Sequence, residues 1–293
     1  MNNKLIYHYT DINAIKSILT SGKLWMTSHE YLNDTQEFKD GYDRLMKSVD
    51  ECLIKNNHSL SDTTKVAITE AKALLDNTML LSTSFSKRGD LLSQWRSYCP
   101  SEGGFAIGFD KSTFEVPYKV TESYTKLYDC IYDNVEKDRM AKLFGETSIV
   151  EHNQRNHFEI HKRTTFEGFI YHWLLLVISA KNKHFIEEDE VRFTTYIHKH
   201  LVEVDISQMD NGTILGNYPE GLNLYSKKEL SFKEKSNILI PYHEYEIDLS
   251  GIKEIIIGPN PNMSLVKDSI EFFIKNLKLE IEVKCSEIPY RTV

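Results

Sequence analysis

The stretch IYHYTDINAIKSILTSGKLWMTS, Ile6 to Ser28, decides how this chain is read. It opens apolar and aromatic and runs into His8-Tyr9-Thr10, a pattern that predicts a short strand. Asp11 stands where a helix N-cap belongs, and Ile12, Ile15, Ile18 and Leu19 then recur at helical spacing. Ser21-Gly22 predicts the stop, because glycine readily takes the left-handed conformation that closes a helix. Leu24 to Thr27 restarts an extended segment. The unit is strand, short amphipathic helix, glycine stop, strand. It sets His8, Tyr9 and Thr10 beside a helix N-terminus, whose unpaired N–H groups favour an anion such as a phosphate.

Working outward, 293 residues are enough to bury a sizeable core as one large domain or two small ones. The 43 acidic residues outnumber the 35 basic ones, for a net charge of −8, which argues against a whole-surface affinity for nucleic acid. A local basic groove is compatible with that balance. Cys52, Cys99, Cys130 and Cys285 lie far apart with no C-x-x-C pair, the pattern of reduced thiols rather than of a disulfide frame or zinc site. No apolar leader opens the sequence, and the longest apolar run, Trp173 to Ala180, is too short to span a bilayer. The expectation is a cytoplasmic protein with no membrane partner.

Further along, Tyr31 to Asp34 reads as a polar turn, Glu37 to Cys52 as a helix, and Asp62 as the cap of another helix to about Asp76. Met79 to Ser86, MLLSTSFS, reads as a buried strand that turns polar, and Asp90 as the cap of a short helix, LLSQWRSY. FAIGFD at 105–110 is strand-like, Lys119 to Tyr132 a long strand or hairpin, Val135 to Phe144 helical, and Ser148 to Ala180 one long helix. After Lys183 an acidic cluster precedes the strand VRFTTYI, and a loop with turn signals near Gly212 and Gly216 follows. Strands at Tyr242–Leu249 and Ile252–Gly258, a helix at Ser264–Leu277 and a last strand at Leu279–Cys285 complete the chain. With no repeat and no Pro- or Gly-rich linker, this predicts a single α+β domain over 1–293. Its sheet is mixed or antiparallel and split, it is flanked by helices, and a helical insertion falls at about 133–180.

Several segments together resemble a bacterial family of proteins of unknown function, the one numbered 2971. They are HYT with SIL-x-SG-LW at 8–25, LND-x-x-E at 32–37, SQWRSY at 93–98 and G-FAIGFD at 104–110. KHF-x-x-E-x-E-x-R at 183–192, EIIIGP at 254–259 and SEIPYR at 286–291 continue the series in the same order. That resemblance implies a setting, phage defence and abortive infection, rather than a reaction. The opening unit is also similar to the first NAD-binding motif of ADP-ribosyltransferases, particularly bacterial toxins that modify nucleic acid. This second resemblance implies NAD as substrate, His8 holding the nicotinamide ribose, Ser82-Thr83-Ser84 supporting the nicotinamide pocket, and Glu190 or Glu188 completing the site.

The residues carry this chemistry in the following way. Breaking a nicotinamide–ribose bond passes through an oxocarbenium-like species, so a nearby carboxylate is expected to stabilise charge, bind a ribose hydroxyl or deprotonate the acceptor. Glu188 and Glu190 alternate at a strand start and share a face with Arg192, and paired carboxylates can raise one pKa. A solvated edge with Arg192 as salt-bridge partner fits the same pattern. His8 fits a ribose contact or a core histidine bonded to backbone, and Ser82 and Ser84 fit a pocket or ordinary strand hydroxyls. Tyr9 fits stacking or packing, Thr10 belongs to the same strand end, and Arg96 fits a pyrophosphate contact or the surface.

His157 and His161 lie four apart, but their glutamate is one place late for H-E-x-x-H, so no metal is expected. There is no P-loop and no G-x-S-x-G elbow. The sequence thus predicts an ADP-ribosyltransferase-like effector that uses NAD on a nucleic-acid or protein acceptor, with an antitoxin or chaperone as a candidate partner. The alternative is a non-catalytic module that senses a phage component. The acidic balance and missing metal motif weigh against a nuclease.

Overall fold

The computed structural model describes residues 5–31, 35–100, 102–114, 125–155, 172–199 and 229–289. The opening unit forms as its sequence dictates: β1 (Leu5–Thr10), α1 (Ile12–Ser21) and β2 (Lys23–Ser28). Asp11 caps α1 by accepting from the Ala14 N–H at 2.8 Å, and Gly22 closes it at φ 66°. Ile15, Ile18 and Leu19 are buried, whereas Ile12 on the first turn is exposed.

Two helices follow, α2 (Thr35–Asn56) and α3 (Asp62–Asp76), and then β3 (Thr78–Ser86), α4 (Leu92–Tyr98) and β4 (Phe105–Asp110). β5 (Lys126–Asp129), α5 (Asn134–Lys142), α6 (Ser148–Arg155) and a helix over 172–179, here α7, lead to β6 (Glu190–His198). The chain continues with β7 (Ser231–Lys235), β8 (Ile238–Glu246), β9 (Ile252–Ile257), α8 (Met263–Asn276) and β10 (Glu282–Cys285). Among the described residues no helix is long and apolar enough to cross a membrane.

Two predicted caps move. Ser61, not Asp62, caps α3 through the Thr64 N–H, one place earlier than the acidic residue suggested. Asp90 does not cap α4, whose N-cap is Leu91 and has no side-chain bond. Its carboxylate accepts instead from Trp95 Nε1 at 2.7 Å, Ser286 Oγ at 2.7 Å and the Glu287 N–H at 2.9 Å. The β7–β8 hairpin was not anticipated; it turns on Ser236 and Asn237, both at positive φ, the conformation of tight hairpin turns. The centre of the predicted 148–180 helix, the Tyr31–Asp34 turn beyond its first residue and the turns near Gly212 and Gly216 lie outside the described residues, as do His157 and His161.

The strands form one sheet in the order β10-β9-β4-β1-β3-β2-β8-β7, with β6 also on β3 and β5 on β6. All pairs are antiparallel except β9–β10, so the predicted mixed sheet is present. β6 runs along the whole of β3, from Thr78↔His198 to Ser86↔Glu190. The other edge of β3 is shared: β2 pairs at Leu81 and Ser82, and β1 pairs at Ser86. Between those pairings, at Thr83 to Phe85, β1 and β2 diverge and the sheet splits.

Cross-strand partners share a face, so the register divides the core. One face carries Ile6, Met26, Phe85, Ile107, Phe193 and Ile255, and α1 and α8 cover it with Ile15, Ile18, Leu19, Ile270 and Ile274. The other face is covered in two places. α4 seats Trp95 on Tyr9, Ala106 and Ile256, and the helices of the 35–76 and 134–179 region pack over Leu80. Gly41 allows the close approach of α2 to α7: a Cβ there would lie 2.9 Å from the Val177 Cα. Between the two covers lies a polar strip.

Candidate functional site

The strip is written by strand register. On β3, Ser82, Ser84 and Ser86 stand opposite Thr194, Arg192 and Glu190 of β6, and all six share the face that lies between the helical covers. The serine-rich second half of MLLSTSFS and the acidic start of β6 therefore meet side by side, distant in the chain but adjacent in the sheet.

At its end four charged side chains are buried together. Glu190 accepts from Arg192 Nε and Nη2, both at 3.0 Å, and pairs with Lys181 at 2.6 Å. Lys181 also pairs with Glu188 at 2.8 Å, and Arg192 Nη1 donates to the Ile178 carbonyl at 2.9 Å. None of these four residues is more than 6% exposed. Two cations and two anions leave the group neutral, the condition under which buried charge is tolerable. A short bridge aims Lys181 inward: Ile131 donates its N–H to the Ser179 carbonyl and accepts the Lys181 N–H.

Burial alone would raise the Glu190 pKa, but the charges and hydrogen bonds of Arg192 and Lys181 outweigh it and hold the carboxyl well below the usual range. This corrects two expectations. The Glu188–Glu190 pair does not raise the pKa of Glu190, because Lys181 lies between the carboxylates. Nor is the pair a solvated edge, although Arg192 is the partner of Glu190. Glu188 ends a 3-10 turn, Asp189 follows at φ 44°, and only Glu190 belongs to the strand.

His29 was not anticipated by the sequence. It follows β2 directly, is buried, and its Nε2 lies 2.8 Å from Ser82 Oγ. Burial pushes its pKa down to about 3, helped by the charges of Arg192 and Lys181, with Glu190 opposing. Lys181 was likewise overlooked. It is the first charge after the apolar run 173–180 and lies two residues beyond the end of α7.

His8 stands elsewhere. It lies on the opposite face from Glu190, beside Ile107 in register and edge-on to Phe85 with ring centroids 5.8 Å apart. Its Nδ1 lies 3.0 Å from the Ser84 carbonyl, which can only accept, so Nδ1 carries the proton. Burial lowers the pKa and keeps the ring neutral. The Nε2 lone pair is thus an acceptor, with no hydrogen-bond partner among the described residues, at the split between β1 and β2.

The remaining residues divide. Ser84 is half-buried, and its hydroxyl has no hydrogen-bond partner among the described residues. Thr194 Oγ1, fully buried on the same strip, has none either. Tyr9 is packed rather than open: its hydroxyl donates to the Arg88 carbonyl at 2.7 Å and accepts the Leu91 N–H, and Trp95 meets its ring at 4.6 Å. Thr10 is buried with its carbonyl near Cys99, and Arg96 is exposed on α4. The structure therefore brings Ser82, Ser84 and Glu190 onto one strip, with Glu188 at its end, and sets His8 at the split beside Ser84.

Comparison with known proteins adds one finding. Residues 94–193 match the family described as "Protein of unknown function (DUF2971)". The match runs from α4 to Phe193 and so includes Lys181, Glu188, Glu190 and Arg192; His8, His29 and Ser82 lie outside it. No curated protein and no solved structure matches the chain.

Proposed function

We propose that this protein is an NAD-dependent ADP-ribosyltransferase-like enzyme, acting as an effector in the bacterial defence setting that its family resemblance implies. One observation carries the reading: Ser84, with an uncommitted hydroxyl, shares a strip with an ionised Glu190 at a split in an antiparallel sheet, and His8 presents a lone pair at that split. Cleavage of the nicotinamide–ribose bond sends the bonding pair to nicotinamide and leaves positive charge on the ribose. A carboxylate held ionised by Lys181 and Arg192 stabilises that charge without reorganising, so Glu190 acts electrostatically rather than as a proton acceptor. His8 Nε2 suits a ribose hydroxyl, and Ser84 Oγ suits the nicotinamide amide.

The test uses NAD labelled on the adenylate, incubated with the full chain and with nucleic acid, cell protein or buffer as acceptor. Label on a macromolecule marks transfer; free ADP-ribose marks hydrolysis by the same site. Ser84→Ala is the informative variant, because it removes a hydroxyl that has no hydrogen-bond partner among the described residues. It is expected to cut NAD turnover while leaving the melting temperature unchanged. Intact NAD under every condition refutes the enzyme. A second reading, a non-catalytic sensing module, is favoured by one feature: both acids of the buried group are already engaged by Lys181 and Arg192. In that case Ser84→Ala and Glu190→Gln leave partner capture unaffected.

A further inference from the structure

Beside the split lies a further cation that the proposed chemistry does not use. Lys233, on β7, reaches across β8 and donates to Thr27 Oγ1 on β2 at 3.1 Å. Among the described residues it has no carboxylate partner, unlike Lys23, which is tied to Glu244 at 2.8 Å on the neighbouring strand. Lys233 is half-buried, and burial, with the nearby charge of Lys235, lowers its pKa. It is close enough to the split for its charge to lower the pKa of His8. A cation partly withdrawn from water with no anion to meet it costs free energy that a bound anion would offset.

Beside it lies an aromatic surface. Trp25 is stacked on Tyr242 with ring centroids 4.2 Å apart, is 41% exposed, and has Lys233 Nζ 5.8 Å from its ring centre. Tyr242 is buried, so it holds the indole in place as a rigid, half-open platform. Register puts Trp25, Thr27, Tyr242 and Lys233 on one face, the face of Ser82 and Ser84.

We infer that Lys233, Thr27 and Trp25 form a subsite for a nucleoside phosphate, with the phosphate on Lys233 Nζ and the base against the exposed indole of Trp25. Stacking of a base on an aromatic ring, next to a cation that takes the phosphate, is the general chemistry of nucleotide capture. The subsite rests on the reading that the split holds the ligand. It extends that reading by naming where the phosphate-bearing part lies. Two sources supply this chemistry, a free dinucleotide and a nucleic-acid strand.

The experiment titrates the full chain with ADP, adenosine and an oligodeoxyadenylate, by calorimetry and tryptophan fluorescence. Trp95 and Trp173 are 4% and 0% exposed, so ligand quenching reports Trp25. ADP is expected to bind more tightly than adenosine, and Lys233→Gln to weaken ADP roughly tenfold or more, the size of a lost charge-assisted hydrogen bond. Lys233→Arg restores the affinity, and Trp25→Ala weakens every base-bearing probe about fivefold or more. A strand as the natural ligand shows as tighter binding of the oligonucleotide than of ADP, with a salt slope that falls by about one in Lys233→Gln. The inference is overturned if Lys233→Gln binds ADP and the oligonucleotide like the wild type, or if the wild type binds neither. Nucleotide binding that depends on Lys233 in a protein that never consumes NAD refutes the transferase alone. NAD turnover that depends on Ser84 with nucleotide binding indifferent to Lys233 refutes the subsite alone.

Discussion

Replacing Glu190 by Gln tests whether the four buried charges act as one unit. The variant keeps the shape of the side chain and removes one negative charge, so Lys181, Glu188 and Arg192 are left with a net charge of +1 at sites no more than 6% exposed. Arg192 loses its two-pronged acceptor at 3.0 Å, and Lys181 keeps its pairing with Glu188. Breaking a buried pair on one side costs about 3–5 kcal/mol, chiefly because the surviving charge is uncompensated. In domains of about 200 residues each kcal/mol lowers the melting temperature by roughly 2–4 °C, so a drop of about 6–20 °C is expected. Replacing both partners, Glu190→Leu with Arg192→Met, removes the stranded charge and leaves the neutral Lys181–Glu188 pair. That double variant should lose clearly less stability than the two single variants summed, with a coupling of about 1 kcal/mol or more in a double-mutant cycle. Scanning calorimetry and urea denaturation read both quantities. If Glu190→Gln melts within about 1 °C of the wild type, or the cycle is additive, the buried group is not coupled as described and the reasoning fails.

Three further outcomes follow from the same contacts. His29 has its pKa lowered from 6.5 to about 3, so the unfolded chain takes up its proton first as the pH falls; this contribution is complete above about pH 6.5 and is lost between there and about pH 3. His29→Gln should flatten the difference between urea midpoints measured at pH 7 and pH 5, whereas the Glu190 contribution, also from a lowered pKa, is lost only below about pH 4.5. Asp90→Ala leaves the Trp95 indole N–H and the segment at Ser286 and Glu287 without their shared acceptor, and should cost about 2 kcal/mol and speed proteolysis near the C-terminal end. Gly104→Ala places a Cβ 2.2 Å from Cys99 Sγ and 3.1 Å from the Thr10 carbonyl, and should cost roughly 1–3 kcal/mol by chemical denaturation because α4 must shift.

Much of the architecture is legible in the chain because its causes are local. The Asp11 cap, the Ile15–Ile18–Leu19 face and the Gly22 stop each depend on atoms within one helical turn, and they appear where their residues require. The apolar run of β4 and the serine-rich half of β3 likewise carry their own pattern. Where two residues could serve, as Ser61 and Asp62 do at α3, composition alone cannot choose, since both are good caps and their backbone angles decide. The β7–β8 hairpin hid behind Ser236-Asn237, a turn pair weaker in signal than Asn-Gly.

The site is different. That Glu188, Glu190 and Arg192 form a group could be read from their spacing, but the structure makes it neither a raised-pKa pair nor a solvated edge; it is a neutral interior cluster. Lys181 supplies the reversal, and it comes from the segment just after α7 rather than from the strand the acids start. His29 meets Ser82 across 53 residues, and Lys233 meets Thr27 across 206. Alternation along a strand tells which side chains share a face, but not which other strand will be placed beside them. Sequence alone therefore determined most of the elements, the Asp11 cap and Gly22 stop of α1, and the polar faces of β3 and β6. Strand pairing in three dimensions decided which charges neutralise one another, which histidine faces them, and which cation is left beside an open indole.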